Sequence, residues 1–120
     1  MNKICTSIEQ GKKLVELGID VSTADMFWAD GERPAIWNNK DISLDEMDIP
    51  AWSLSSLLEI IPFPHLSWYK YVDGPLNWNC VSVPKLNSKD ISPVVEVRDL
   101  PNAIDACYEL ILELHNQSLL

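Results

Sequence analysis

The thiols and imidazoles of this 120-residue chain are few: Cys5, Cys80, Cys107, His65 and His115. No two cysteines are close in sequence and none forms a CxxC pair, so neither a zinc knuckle nor a dithiol redox motif is visible. The chain has no HExxH or GxSxG, and its four glycines are scattered rather than gathered in a phosphate-binding loop. The best nucleophilic set is Cys80 with His65 and Asp73, which could meet at one hairpin. A cysteine nucleophile needs a base within hydrogen-bond reach, so this set defines a small cysteine hydrolase as an alternative reading. His115 has a simpler place, in the last turn of a helix, where an imidazolium complements the dipole.

Asp41, Asp45, Glu46 and Asp48 crowd the polar stretch 38–49. An EF-hand would need oxygen ligands at alternate positions and a central glycine, and neither occurs. The stretch reads as a solvated loop with one helical turn. No catalytic, metal or cofactor-binding residue is therefore assigned, and no cofactor is expected.

Five tryptophans are the unusual feature of the composition: Trp28, Trp37, Trp52, Trp68 and Trp78. Each can bury about 150–250 Å² in a small core. Tryptophan is equally a residue of interface hot spots. Phe27, Trp28 and Trp37 lie in the first hairpin and are the surface candidates for a protein partner. Trp52 has a structural explanation, given below.

The elements that must position these residues follow from local signals. Thr6-Ser7-Ile8-Glu9 reads as a capping box opening a helix over about 7–17. Ile8, Leu14, Val15 and Leu17 supply its apolar face, Glu9 and Lys13 an i,i+4 ion pair, and Gly18 its stop. Asp30-Gly31 is a turn between ADMFWA and PAIWN, with Pro34 near the edge of the second strand. In DIPAWSLSSLLEIIP, Ser53 is an N-cap, Trp52 precedes it and Leu57 is the fourth helical position. That is the pairing of a hydrophobic staple, with Leu54, Leu58 and Ile61 completing the buried stripe. Pro62 ends this helix at or before Ile61.

LSWYKYV, the Asp73-Gly74 turn and LNWNCVSV make a second hairpin. Leu76, Trp78 and Cys80 face one side, and Asn77, Asn79 and Val81 the other. PKLNSKDISP is a loop and VVEVR a short last strand. The final helix is capped by Asp99 or Asn102, with Pro101 in its first turn. It buries Ile104, Cys107, Leu110, Ile111 and Leu114 and turns Asp105, Glu109 and Glu113 outward. Tightly joined strands predict one α+β domain over 1–120: an antiparallel sheet of four to five strands with three helices mainly on one face.

Net charge is −9 and the pI near 4.4. Such a chain is repelled by phosphate backbones and anionic lipids, so neither nucleic acid nor membrane is an expected partner. The charge serves solubility or suits a basic protein partner. No apolar run reaches the ~20 residues of a membrane span and MNKICTSIEQ lacks a signal-peptide core, which makes the cytoplasm the expected compartment. Reduced, buried thiols fit that compartment.

CTSIEQGKKLVELGID with STADM, IPAWSLSSLLEIIP and DACYELILEL together resemble a family of short uncharacterised proteins. The family is associated with Bacteroides-type gut bacteria, their phages and mobile elements. The resemblance carries no activity, catalytic residue or cofactor; it implies a small accessory protein. Two functions follow as expectations. The first is non-enzymatic protein–protein contact, with self-association through the first hairpin. The second is nucleic-acid mimicry, in which Asp105, Glu109, Glu113 and the 41–48 carboxylates stand in for phosphates and inhibit a DNA-processing protein.

Overall fold

The computed structural model describes residues 3–37, 44–70, 72–82 and 94–120. They fall into two compact units, residues 3–56 and 57–120, with the boundary inside a short helix. Asp41 of the acidic stretch, the 84–93 loop and Tyr71 lie outside the described residues.

In the first unit, α1 spans Ile8–Glu16. Its capping box starts one residue later than expected. Ser7 is the N-cap, accepting from the Gln10 amide at 3.1 Å, while the Gln10 side chain accepts from the Ser7 amide at 2.9 Å. Thr6 is displaced from that role because its hydroxyl is engaged elsewhere, as shown below. The helix stops as a Schellman motif: Gly18 at φ +87° donates to Val15 O, and Ile19 donates to Leu14 O. Lys13 pairs with Glu16 at 4.0 Å, and Val15 is 41 % exposed. The buried stripe runs instead through Gly11 and Leu14.

Gly11 is there because β3 passes against it. A Cβ at Gly11 would sit 2.3 Å from Pro50 O and 3.3 Å from Ile49 Cγ2. β1 (Met26–Ala29), β2 (Arg33–Ile36) and β3 (Ile49–Ala51) form an antiparallel sheet in the order β2-β1-β3. The β1–β2 loop, residues 30–32, turns through Asp30 at φ 53° and Gly31 at φ 71°, left-handed positions that an Asp-Gly pair accommodates. Pro34 and Pro50 both sit on edge strands, where a missing N–H is tolerated.

α2 spans Leu54–Ile60 and ends before Pro62, as the proline requires. Trp52 and Leu57, the two staple positions, are both fully buried.

In the second unit, β4 (Pro64–Lys70), β5 (Leu76–Ser82) and β6 (Val95–Leu100) form a meander in the order β4-β5-β6. α3 (Ala103–Asn116) packs on β5 and β6 and buries Ile104, Cys107, Leu110, Ile111 and Leu114, the predicted face. Asn102 is its cap, accepting from the Asp105 amide at 2.8 Å, which leaves Pro101 outside the helix.

The class is α+β with antiparallel strands. The expectation of one sheet of four to five strands is corrected to two three-stranded sheets, each with its own helix. The three residues of β3 complete the first sheet by pairing with β1, Trp28 opposite Ile49 and Met26 opposite Ala51. No helix among the described residues is long and apolar enough to cross a membrane.

Candidate functional site

The nucleophilic set is not assembled. His65 pairs with Val81, and Leu66 with Cys80. Neighbouring residues on a strand point to opposite faces, so His65 and Cys80 lie on opposite sides of the sheet. His65 is exposed. Cys80 is fully buried, its Sγ 3.9 Å from Cys107 Sγ on α3. Held against Cys80 and buried, the Cys107 thiol is pushed up from its ordinary pKa. Burial likewise raises the Cys5 thiol, against the opposing pull of the Lys3 charge.

The first hairpin divides its aromatic trio. Cross-strand partners share a face, so Met26, Trp28, Pro34 and Ile49 lie together, while Phe27, Ala35 and Pro50 lie on the reverse. Ile49 meets α1 at Gly11, which identifies the first of these as the helix-covered face. The Trp28 indole N–H donates to Thr6 O at 2.9 Å, a bond within the fold. Phe27 is half-buried on the other face. Trp37, just past β2, donates its amide to Asp25 O at 3.0 Å and is also half-buried.

Trp37 lines an open groove of about 510 Å³ with Val21, Leu44, Asp45, Glu46, Asp48 and Pro50. A second open groove, about 350 Å³, lies across the same loop, between Ile8, Lys12, Asp30, Gly31, Glu46, Met47 and Ile49. Asp48 is committed to the loop itself. Its Oδ1 accepts from the Asp30 amide at 2.9 Å and its Oδ2 from the Asp45 amide at 3.0 Å. Asp45 and Glu46 are exposed on the rim. The arrangement offers one aromatic wall, apolar Val21, Leu44 and Pro50, and carboxylates at the mouth. Such a groove suits a cationic side chain, through ring–cation attraction and charge. Among the described residues no group of histidine, cysteine and carboxylate side chains is placed to hold a metal ion.

One position escapes the sequence reading. Asp25 accepts from the Ser53 amide at 2.9 Å, from the Ser53 hydroxyl, and from the Ser56 hydroxyl at 3.0 Å. Burial pushes its carboxyl up, but these bonds outweigh it and hold the pKa below the ordinary value. Among the five tryptophans read as core or interface residues, Trp68, outside the first-hairpin surface candidates, is the most exposed, at 62 %, while Trp52 alone is fully buried. Of the acidic row on α3, Glu109 and Glu113 are exposed, whereas Asp105 accepts from the Asn102 side chain at 2.9 Å.

No family model, no curated protein and no solved structure matches the chain.

Proposed function

We propose that this chain works by contact with another protein, and that the Trp37 groove receives a basic side chain of that partner. The observation that carries the reading is that Trp37, Val21, Leu44 and Pro50 line one groove together with the exposed Asp45 and Glu46. A net charge of −9 adds long-range attraction for a basic surface. Burial of Cys80 on the face away from His65 supports a binding role over a hydrolytic one. A small accessory protein, as the family resemblance implies, is consistent with such a role.

The test is calorimetric titration with short arginine-bearing peptides and with the same peptides carrying neutral citrulline. Arginine peptides are expected to bind, to weaken with salt, and to lose binding with Trp37→Ala or with Asp45→Asn and Glu46→Gln together. Equal binding of the citrulline series, or binding indifferent to Trp37→Ala, overturns the assignment.

A further inference from the structure

The two edges of the second sheet are treated differently. The β6 edge is blunted. A register shift interrupts its pairing with β5 between Trp78 and Cys80, and Asp99 takes φ 65°. Glu96, Arg98 and Asp99 add charge along the same strand. Bulges and charges of this kind keep an edge strand from pairing with another chain.

The β4 edge has neither device along its length. It pairs with β5 through seven consecutive residues without a shift. It holds no carboxylate in a chain that has 18, and its one lysine, Lys70, stands at its end. His65, Ser67, Trp68 and Lys70 are exposed among the described residues. A long, regular, nearly uncharged edge with an exposed tryptophan is a template for strand addition.

The sequence of β4 also matches itself. A two-fold axis at Ser67 sets Pro64 opposite Lys70 of a second copy, His65 opposite Tyr69, Leu66 opposite Trp68, and Ser67 opposite Ser67. The register runs the length of the strand, with Pro64 at its end accepting but not donating, no like charges are opposed, and each Trp68 gains an aliphatic cross-strand neighbour. Elsewhere two copies at −9 each repel, so a carboxylate-free strand is where they can approach.

We propose that β4 pairs antiparallel with β4 of a second copy about Ser67, joining two three-stranded sheets into one of six strands. This contact is separate from the Trp37 groove and stands or falls without it.

Ser67 provides the test, because it is exposed in one chain and opposed to itself in the pair. Sedimentation of the full chain at rising concentration is expected to show a dimer. Ser67→Glu and Ser67→Lys each place like charges opposite one another and shift the protein to monomer, with unchanged circular dichroism. An equal mixture of the two variants restores a one-to-one dimer, tighter than either alone by about tenfold, the factor that corresponds to about 1.4 kcal/mol. A wild-type chain that stays monomeric overturns the proposal and leaves the edge to an extended segment of another protein. A dimer that both substitutions leave intact, or a mixture no tighter than its components, overturns it as well.

Discussion

Thr6 and Trp52 are bonded twice, though 46 residues separate them: the Thr6 amide donates to Trp52 O at 2.9 Å, and the Trp52 amide donates to the Thr6 hydroxyl at 3.0 Å. Both residues are fully buried. Thr6 O accepts a third bond, from the Trp28 indole, and the Trp52 indole donates to Thr23 Oγ1 at 2.9 Å. Thr6→Val keeps the shape and removes the hydroxyl, leaving the Trp52 amide unsatisfied in the interior. The expected loss is about 1–3 kcal/mol of unfolding free energy. Thr6→Ser, which keeps the acceptor, loses less. Urea denaturation of the three chains measures both, and equal stability of Val and Thr at this position contradicts the account.

Asp25 gives the chain an acid-sensitive contact. Its folded pKa lies below the ordinary carboxylate value because Ser53 and Ser56 hydrogen bonds outweigh burial. A depressed folded pKa means that its contribution is complete above the unfolded value, near ~3.9, and is lost as pH falls through the folded one. Asp25→Asn is expected to be less stable at neutral pH and to lose less stability below roughly pH 5. Denaturant midpoints across an acid series read the two slopes. Parallel curves for the two chains contradict the assignment.

Element ends were legible because they depend on neighbours. Gly18, Asp30-Gly31, Asn102 and Pro62 each act within a few residues of themselves, and each does what its chemistry demands. On β5 the side expected to be buried holds only in part: Cys80 lies buried beneath α3, Trp78 is half-buried like its neighbours Asn77 and Asn79, and Leu76 at the strand's start is exposed. Partnerships at long range were not legible. Nothing in Ile49–Ala51, three residues with a central proline, announces a strand; it exists because β1 lies beside it. Asp25 serves serines 28 and 31 residues away. Of the proposed binding surface, Trp37 was visible as an aromatic in a hairpin, while its neighbours Val21 and Leu44 come from separate segments. Periodicity carries no information about which apolar faces meet.

Gly11 reads as a weak residue for a helix interior, yet its place is dictated by contact. An added Cβ would stand 2.3 Å from Pro50 O, a backbone atom of β3. Gly11→Ala gains about 1 kcal/mol of helix propensity. Overpacking costs about 1–3 kcal/mol and must shift α1 from the sheet. The expected result is a net loss of stability, whereas alanine at the exposed Lys12 is close to neutral. Thermal denaturation of the two variants decides it, and a stabilised Gly11→Ala chain would show that α1 and β3 separate freely.

The two Schellman endings differ in their left-handed residue. Gly18 at φ +87° has nothing within 4 Å of where a Cβ would go, so any effect of Gly18→Ala is conformational. The same position after α3 is held by Ser118 at φ 56°, with the Ser118 amide on His115 O and the Leu119 amide on Leu114 O. A left-handed L-residue costs roughly 1–2 kcal/mol, part of which glycine's larger unfolded-state entropy offsets. Ser118→Gly is therefore expected to stabilise by up to about 1 kcal/mol, and Gly18→Ala to destabilise by about as much. Opposite shifts in the urea midpoint confirm the pair; shifts of the same sign refute it.

The buried thiols make a kinetic prediction. Cys5 is 2 % exposed, and Cys80 and Cys107 are fully buried. The thiolate is the reactive form; it is disfavoured at Cys5 by burial and at Cys107 by its contact with Cys80, the same contact favours it at Cys80, and at all three the packing excludes the reagent. Native protein at neutral pH is expected to react with iodoacetamide far more slowly than the unfolded chain, at a rate set by the free energy of opening. Because Cys80 and Cys107 touch across β5 and α3, one opening exposes both, so mass spectrometry should find them modified together. Denaturant too dilute to unfold the chain should accelerate both equally. Rapid modification of Cys80 alone would mean a path from solvent to its sulfur that this packing does not contain. It would also return the strand nucleophile to contention, with a base other than His65, which the sheet holds on its opposite face.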